Sequence, residues 1–190
     1  PGWTSESPVP GDLYRFKEKS SVKAVFKINR KEYSPKIKNG YAVFSKKWEQ
    51  GDIVDIGFPY EIRKIEANEN IEDDIDKVAL QLGPLVYCAE WPEFKDPDVL
   101  SLVLNDEVNL DFNFQPELLG GVNTIFGVAE GTKIDGETDE VRTYPRDFKA
   151  IPYYAWAHRG KGQMAVWLAS KKEAARPKPK PTIASTSRVE

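Results

Sequence analysis

The sequence predicts an all-β fold, and three observations carry this prediction. Apolar and polar residues alternate in many short runs, most cleanly from Val108 to Phe114, as in a half-buried strand. Turn residues, mainly glycine, proline, asparagine and aspartate, separate these runs. No window of about a dozen residues keeps apolar positions at the helical spacing, so we expect little helix. Many short strands with frequent turns are typical of β-sandwiches and β-barrels.

The first strands follow from this alternation. Residues 22–28 alternate as one strand, and a turn region containing Pro35 follows it. Residues 41–48 and 53–58 are two further strands. Gly51 lies in the turn between them, so we predict that they form a hairpin.

A domain boundary is predicted near Asn70, because the acidic stretch around it shows neither helical nor strand periodicity. Beyond it, residues 78–82 and 85–89 form a nearly continuous apolar run around Gly83. We interpret this run as a buried strand with a kink or bulge. Further short strands are predicted at residues 99–104 and 124–129.

The last third of the chain contains the strongest hairpin signal. Residues 150–156 and 163–168 read as two strands joined by a turn that contains Gly160 and Gly162. Residues 175–181 alternate proline with cations, which predicts an extended, semi-rigid spacer.

Composition excludes several functional classes. Of the 190 residues, 40% are hydrophobic and 12% aromatic, so most of the chain should fold. The net charge of −3 provides no basic stripe for nucleic acid or for anionic membranes. No apolar run approaches the roughly 20 residues that a spanning helix needs. We therefore expect neither a nucleic-acid partner nor a membrane partner.

Candidate catalytic residues are few. Cys88 could be a nucleophile, but its apolar neighbours favour a buried structural role. His158 could be a general base, but its place in a bend favours a surface or turn-stabilising role. A glycosidase carboxylate pair could come from Glu90, Asp96, Asp98 and the Glu72-Asp73-Asp74 cluster, but we interpret these residues as solvated surface. The sequence therefore predicts no catalytic, cofactor-binding or metal-binding residue in this chain.

Aromatic residues are the better candidates for contacts. Trp3 and Trp91 lie near proline-rich loops, which makes them candidates for contact with a ligand or a neighbouring domain. The other tryptophans follow strand patterns and are expected to pack in the core or between domains. Tyr153, Tyr154 and His158 complete the set of candidate sugar or domain contacts.

Several segments, in fixed order, carry a resemblance to a known family. They are Pro1-Gly2-Trp3, Asn39-Gly40-Tyr41, Trp48–Asp52, Val78–Glu90 with its GPLVYCAE string, and Ile151–Gly160 with its IPYYAWA string. Together they resemble the C-terminal half of glycoside hydrolase family 127, the β-L-arabinofuranosidases, and of the related family 146. The resemblance covers roughly residues 1–168. It departs from the family at His158, where asparagine is expected.

The resemblance implies two consecutive β-sandwich domains behind an (α/α)-barrel catalytic domain that lies upstream. Residues 1–70 would be the C-terminal part of a first sandwich truncated at its N-terminus. Residues 71–172 would be the second sandwich, and residues 173–190 a Pro/Lys linker with the start of a further segment. The family's cysteine nucleophile, its glutamate acid/base and its zinc would all belong to the barrel. Cys88 matches a cysteine of the sandwich strand instead.

The resulting expectation is a non-catalytic accessory portion of an enzyme that acts on plant-type, arabinose-containing glycans. Its first partner would be the protein's own upstream catalytic domain. An independent carbohydrate-binding module is the alternative, and a structural domain that forms a homodimer is a third hypothesis. The parent enzyme is expected in the bacterial periplasm or outside the cell.

Overall fold

The computed structural model describes residues 7–20 and 22–179, and over this range the predicted all-β class is confirmed. Short 3-10 turns connect the strands, and these residues contain no α-helix, hence no helix that could span a membrane. In chain order the strands are β1 (Tyr14–Phe16), β2 (Val25–Ile28), β3 (Lys31–Glu32), β4 (Lys36–Lys38), β5 (Tyr41–Val43), β6 (Val54–Gly57), β7 (Ile62–Ala67), β8 (Lys77–Leu82), β9 (Leu85–Glu90), β10 (Leu102–Val103), β11 (Leu110–Gln115), β12 (Val122–Ile134), β13 (Val141–Pro152), β14 (Met164–Ala165) and β15 (Leu168–Ala169).

Ten of these strands form one large sheet system. Its hydrogen-bonded order is β1-β7-β8-β15-β10-β12-β13-β9-β14, with β11 paired to β12 and β8 also paired to β9. The path from β8 to β9 therefore closes on itself, which is consistent with a sandwich whose layers join at both edges. The enclosed core contains Val78, Leu80, Leu82, Tyr87, Ala89, Val99, Leu102, Leu104, Ile125, Ala129, Phe148, Ala150 and Leu168.

Two smaller sheets precede the large one. One has the order β3-β2-β6 and the other pairs β4 with β5. Asn39 and Gly40, with φ angles of 50° and 77°, form the tight turn between β4 and β5. The predicted hairpin between residues 41–48 and 53–58 is therefore wrong. Each of these strands instead pairs with a strand that precedes it in the chain.

Strands β8 and β9 form an antiparallel hairpin in which Leu82 faces Leu85. Gly83 has a φ of 58°, and a side chain there would lie 2.9 Å from the ring of Tyr60. Glycine followed by Pro84 suits a two-residue turn with positive φ at its first position. The interpretation of a single bent strand is therefore wrong, because the chain reverses direction at this point.

The hairpin predicted from residues 150–156 and 163–168 is also wrong. Strand β13 ends at Pro152, and Ile151 and Pro152 pair with β9. Strand β14 pairs with β9 at Glu90 and Ala89, further along that strand. Pro152 has a φ of −57° and lacks an N–H, so it ends the strand and opens a 3-10 turn.

The predicted boundary at residue 70 falls between two paired strands. Strand β7 occupies part of the acidic stretch in which we expected no strand, and Ile62 faces Leu82 of β8. The domain division itself stays a prediction. At the other end, Arg176 donates its N–H to Leu100 O at 2.8 Å, so the proline-rich tail lies against the sandwich there. Residues 180–190 lie outside the described range.

Candidate functional site

Three exposed aromatic residues follow β13. The 3-10 turn Tyr153–Ala155 begins at Pro152, and the Trp156 N–H donates to Tyr153 O at 3.3 Å. This turn leaves Tyr153, Tyr154 and Trp156 exposed by 45%, 63% and 37%, respectively. We call these three residues the aromatic shelf. The structure thus groups two predicted contact residues, Tyr153 and Tyr154, with Trp156, which the sequence placed in a strand.

The rings of the shelf have a defined arrangement. Tyr153 and Trp156 are nearly parallel, with an interplanar angle of 22° and centroids 6.2 Å apart. The buried Tyr87 lies near two further phenols, those of Tyr60 and Tyr154. Burial raises the pKa of Tyr87, and these two neighbouring tyrosines raise it further. The shelf therefore adjoins the buried phenol of Tyr87 through Tyr154.

A cluster of buried charges holds the segment that follows the shelf. Glu90, which is 2% exposed, accepts the Ala157 N–H at 2.9 Å and the Arg159 Nε–H at 3.1 Å. Arg159 also pairs with Glu93, and the Lys149 Nζ lies 2.7 Å from the other Glu93 oxygen. We call Glu90, Glu93, Lys149 and Arg159 the charge cluster. It contains two acids and two bases, so its formal charges balance.

Electrostatics within the cluster favour the charged forms. Burial alone would raise the pKa of Glu93, but hydrogen bonds from Lys149 and Arg159 outweigh it and lower that pKa. Burial would lower the pKa of Arg159, but hydrogen bonds to Glu93 and Glu90 outweigh it and raise that pKa. A buried ion pair is stable only when its partners are satisfied in this way. The cluster is a structural anchor for residues 157–159.

The prediction that Glu90 is a solvated surface residue is wrong. Glu90 continues an apolar strand, and its side chain points inward to meet an arginine 69 residues later in the chain. Asp98 is also buried, with an exposure of 4%, and it accepts the Lys178 N–H at 3.0 Å. The one local signal for Glu90 was its position directly after the apolar run Leu85–Ala89.

Trp91 directly follows Glu90 in the chain, and His158 directly precedes Arg159. Trp91 is partly buried, and a Cβ on Gly162 would overlap its indole ring, so one face of the ring is covered. His158 is exposed between Ala157 and Arg159. Their proposed contact roles stay predictions. Trp3, the remaining candidate, lies outside the described residues.

Cys88 is 1% exposed within β9, opposite Ile151. Burial and, to a smaller extent, the nearby Glu90 raise the pKa of its thiol to about 12. A thiol with such a pKa does not supply a thiolate at neutral pH. In the part of the chain that the structure describes, no three His, Cys, Asp or Glu side chains gather as metal ligands. These residues do not fit a zinc site.

Comparisons with known proteins point to one enzyme family. The model of the glycoside hydrolase family 127 C-terminal domain matches residues 62–169, that is, from β7 to β15. A non-reducing end beta-L-arabinofuranosidase of Bifidobacterium longum subsp. longum is 34% identical over 130 residues, which are 62% of this chain and 20% of that protein.

Comparison with solved structures indicates the same family. A GH127 beta-arabinofuranosidase superposes with a TM-score of 0.88 at 35% identity, covering 94% of this chain and 28% of that one. A GH127 beta-L-arabinofuranosidase from Geobacillus stearothermophilus T6 gives a TM-score of 0.73 at 37% identity, covering 86% and 26%. The chain thus spans between a fifth and under a third of the length of these relatives. The resemblance found in the sequence is confirmed, and the chain belongs to glycoside hydrolase family 127, with residues 62–169 as its C-terminal domain.

Proposed function

We propose that this chain is the non-catalytic C-terminal portion of a β-L-arabinofuranosidase-like enzyme acting on plant-type, arabinose-containing glycans. In this proposal it supports an upstream (α/α)-barrel catalytic domain of the same polypeptide. Its relatives are arabinofuranosidases several times its length, which supports this placement. The buried Cys88 thiol, with its raised pKa, supports a non-catalytic role. Any zinc would then belong to the upstream domain.

The observation that carries the proposal is an incompletely covered sheet. In the β3-β2-β6 sheet, Phe26 faces Ile56 and Ile28 faces Val54, so these side chains share one face. Phe26 packs edge-on against Phe44 at 5.8 Å, which covers part of this face. Val54 and Ile56 nevertheless remain 37% and 48% exposed. We call these two residues the open face.

An open apolar face on so small a sheet requires a partner. Sheets of two or three strands are marginal unless their apolar face packs against another layer. Soluble monomers also rarely leave contiguous apolar patches exposed. Because this chain spans only 20% of its Bifidobacterium relative, the partner we propose is the upstream part of the same polypeptide.

Two variants of a polypeptide that includes the upstream region test this role. The double substitution Val54→Asp/Ile56→Asp should lower the thermal midpoint and the arabinofuranosidase activity, because two carboxylates would be desolvated at the interface. Val128→Asp is the matched control, since Val128 is 59% exposed on β12 of the large sheet system and should tolerate the charge. Equal behaviour of both variants would contradict docking through the open face.

The isolated chain gives the complementary test. It should not hydrolyse an aryl β-L-arabinofuranoside, with or without zinc, and the Cys88→Ala variant should behave identically. Hydrolysis above that control would overturn the non-catalytic assignment. Size-exclusion chromatography at micromolar concentration tests the occupant: a stable dimer abolished by the double aspartate variant would assign the open face to a second copy instead.

A further inference from the structure

We propose that the aromatic shelf is a carbohydrate contact surface on which a sugar ring of the glycan stacks. The shelf consists of Tyr153, Tyr154 and Trp156, which are the three exposed rings of the segment that follows β13. The choice of arabinose-containing glycan as ligand rests on the proposed function. The stacking role itself rests on the geometry and chemistry of the segment.

Ring geometry is the first argument. The C–H face of a furanose or pyranose is apolar and flat, and an aromatic ring presents a matching flat surface of large contact area. Tyr153 and Trp156 supply two such rings, stacked on each other at an angle of 22°, and the two residues are 45% and 37% exposed. A sugar ring could therefore stack on the outer face of this pair without either ring turning.

The chemical composition of the shelf differs from that of the open face. Residues 153–162 contain no leucine, isoleucine, valine or phenylalanine, whereas the open face is made only of valine and isoleucine. The segment instead exposes the phenols together with His158 and Lys161. Phenol, imidazole and ammonium groups all hydrogen-bond to sugar hydroxyls, so the composition fits a polyol.

The shelf is also held rigidly. Glu90 fixes the backbone at Ala157 through a hydrogen bond of 2.9 Å, directly after Trp156. Arg159 ties the next turn of chain to Glu90 and Glu93. A surface already fixed in its binding conformation loses little entropy when a ligand binds. The charge cluster thus positions the shelf, and its residues do not themselves touch the sugar.

Nuclear magnetic resonance titration of the 190-residue chain tests the proposal. Short L-arabino-oligosaccharides should produce saturable shifts in the amides of residues 153–158 and in the Trp156 indole, with a Kd on the order of 1 mM for so open a site. Tyr153→Ala and Trp156→Ala should each weaken binding at least several-fold. Tyr41→Ala is the matched control, because Tyr41 is 76% exposed on the β4-β5 sheet, away from the shelf in sequence and in sheet.

The possible results of the titration distinguish the shelf proposal from the proposed function. The wild-type shift map decides the question even where a variant loses stability, which thermal unfolding of each variant reports. Absence of saturable shifts at residues 153–158, or binding that survives both substitutions, would overturn the shelf. If maltotriose binds the shelf as well as the arabino-oligosaccharides do, the shelf stands and the proposed substrate fails. If the coding sequence upstream lacks the barrel, the proposed function fails independently of the titration.

Discussion

Replacing Arg159 with methionine tests the charge cluster most directly. Methionine keeps a long apolar stem in place but removes every guanidinium hydrogen bond. Glu90 would then retain only the Ala157 N–H, and Glu93 only Lys149. The substitution therefore leaves a carboxylate uncompensated at a position with 2% exposure.

The magnitude follows from burial. Removing one partner of a buried ion pair costs about 3–5 kcal/mol. Because the Arg159 side chain is 20% exposed, water can partly replace it, and we expect the lower end, about 3 kcal/mol. For a domain of this size each kcal/mol shifts the thermal midpoint by roughly 2–4 °C. The expected loss is therefore about 6–12 °C.

Urea and thermal unfolding followed by circular dichroism measure this loss. Arg15→Met is the matched control, because Arg15 also pairs with a glutamate, at 3.1 Å, but its side chain is 75% exposed. Surface pairs contribute about 0–1 kcal/mol, so this variant should stay close to wild type. If Arg159→Met loses no more than Arg15→Met, the cluster is not a stabilising anchor.

The destabilisation caused by Arg159→Met should also depend on pH. The pKa of Glu93 is lowered below its ordinary value of 4.5 in the folded state, so its contribution to stability is present above that value. It is lost as the pH falls through the folded pKa. The difference in unfolding free energy between wild type and Arg159→Met should therefore be constant near neutrality and should narrow below pH 4.5. A difference that widens in acid would contradict this assignment of charges.

Two further predictions concern single sites. Gly162→Ala should lower the free energy of unfolding in urea by about 1–3 kcal/mol, because the added Cβ would overlap the indole ring of Trp91. Gly136→Ala is the control: a Cβ there meets nothing within 4 Å, so the free energy of unfolding should change by less than about 1 kcal/mol. Equal losses in the two variants would refute the clash. Hydrogen bonds from Lys46 and from the Glu49 N–H lower the pKa of the Asp52 carboxyl to about 2. The amide chemical shift of Glu49, followed by nuclear magnetic resonance, should therefore report a titration midpoint near pH 2, and the contact should be lost only below pH 3.8. A midpoint at pH 3.8 would contradict this lowered pKa.

The fold class was predictable because the periodicity of a strand is a local feature of the sequence. The pairing of the strands was not, because partners are often distant in the chain. Asn39-Gly40 is a strong hairpin signal that would have paired β4 with β5, and it was overlooked in favour of the turn at Gly51. Strand β7 was missed for another reason. Arg63 points inward, with its guanidinium 3.2 Å from the ring centroid of Phe16, and so breaks the apolar alternation that marks a strand.

The candidate site was predictable only in part. Tyr153 and Tyr154 could be selected as exposed aromatics from composition and position. Their neighbour Trp156 could not, because a tryptophan in an apolar run reads as core until the turn after Pro152 is known. Glu90 and Arg159 lie 69 residues apart, and no local pattern indicates that two such charges meet under a turn.

The disagreement between apolar pattern and exposure is itself informative. The alternation of apolar and polar residues along a strand predicts which side chains are buried in the complete protein. The exposed fraction of a side chain shows which of them this chain buries by its own folding. Val54 and Ile56 follow a strand pattern that predicts burial, yet they are 37% and 48% exposed. Leu80 and Ile125 follow similar patterns and are 1% and 0% exposed. The cost of exposing an isoleucine is the same in both sheets, and the pair Val54 and Ile56 is therefore where we propose that the upstream part of the polypeptide docks.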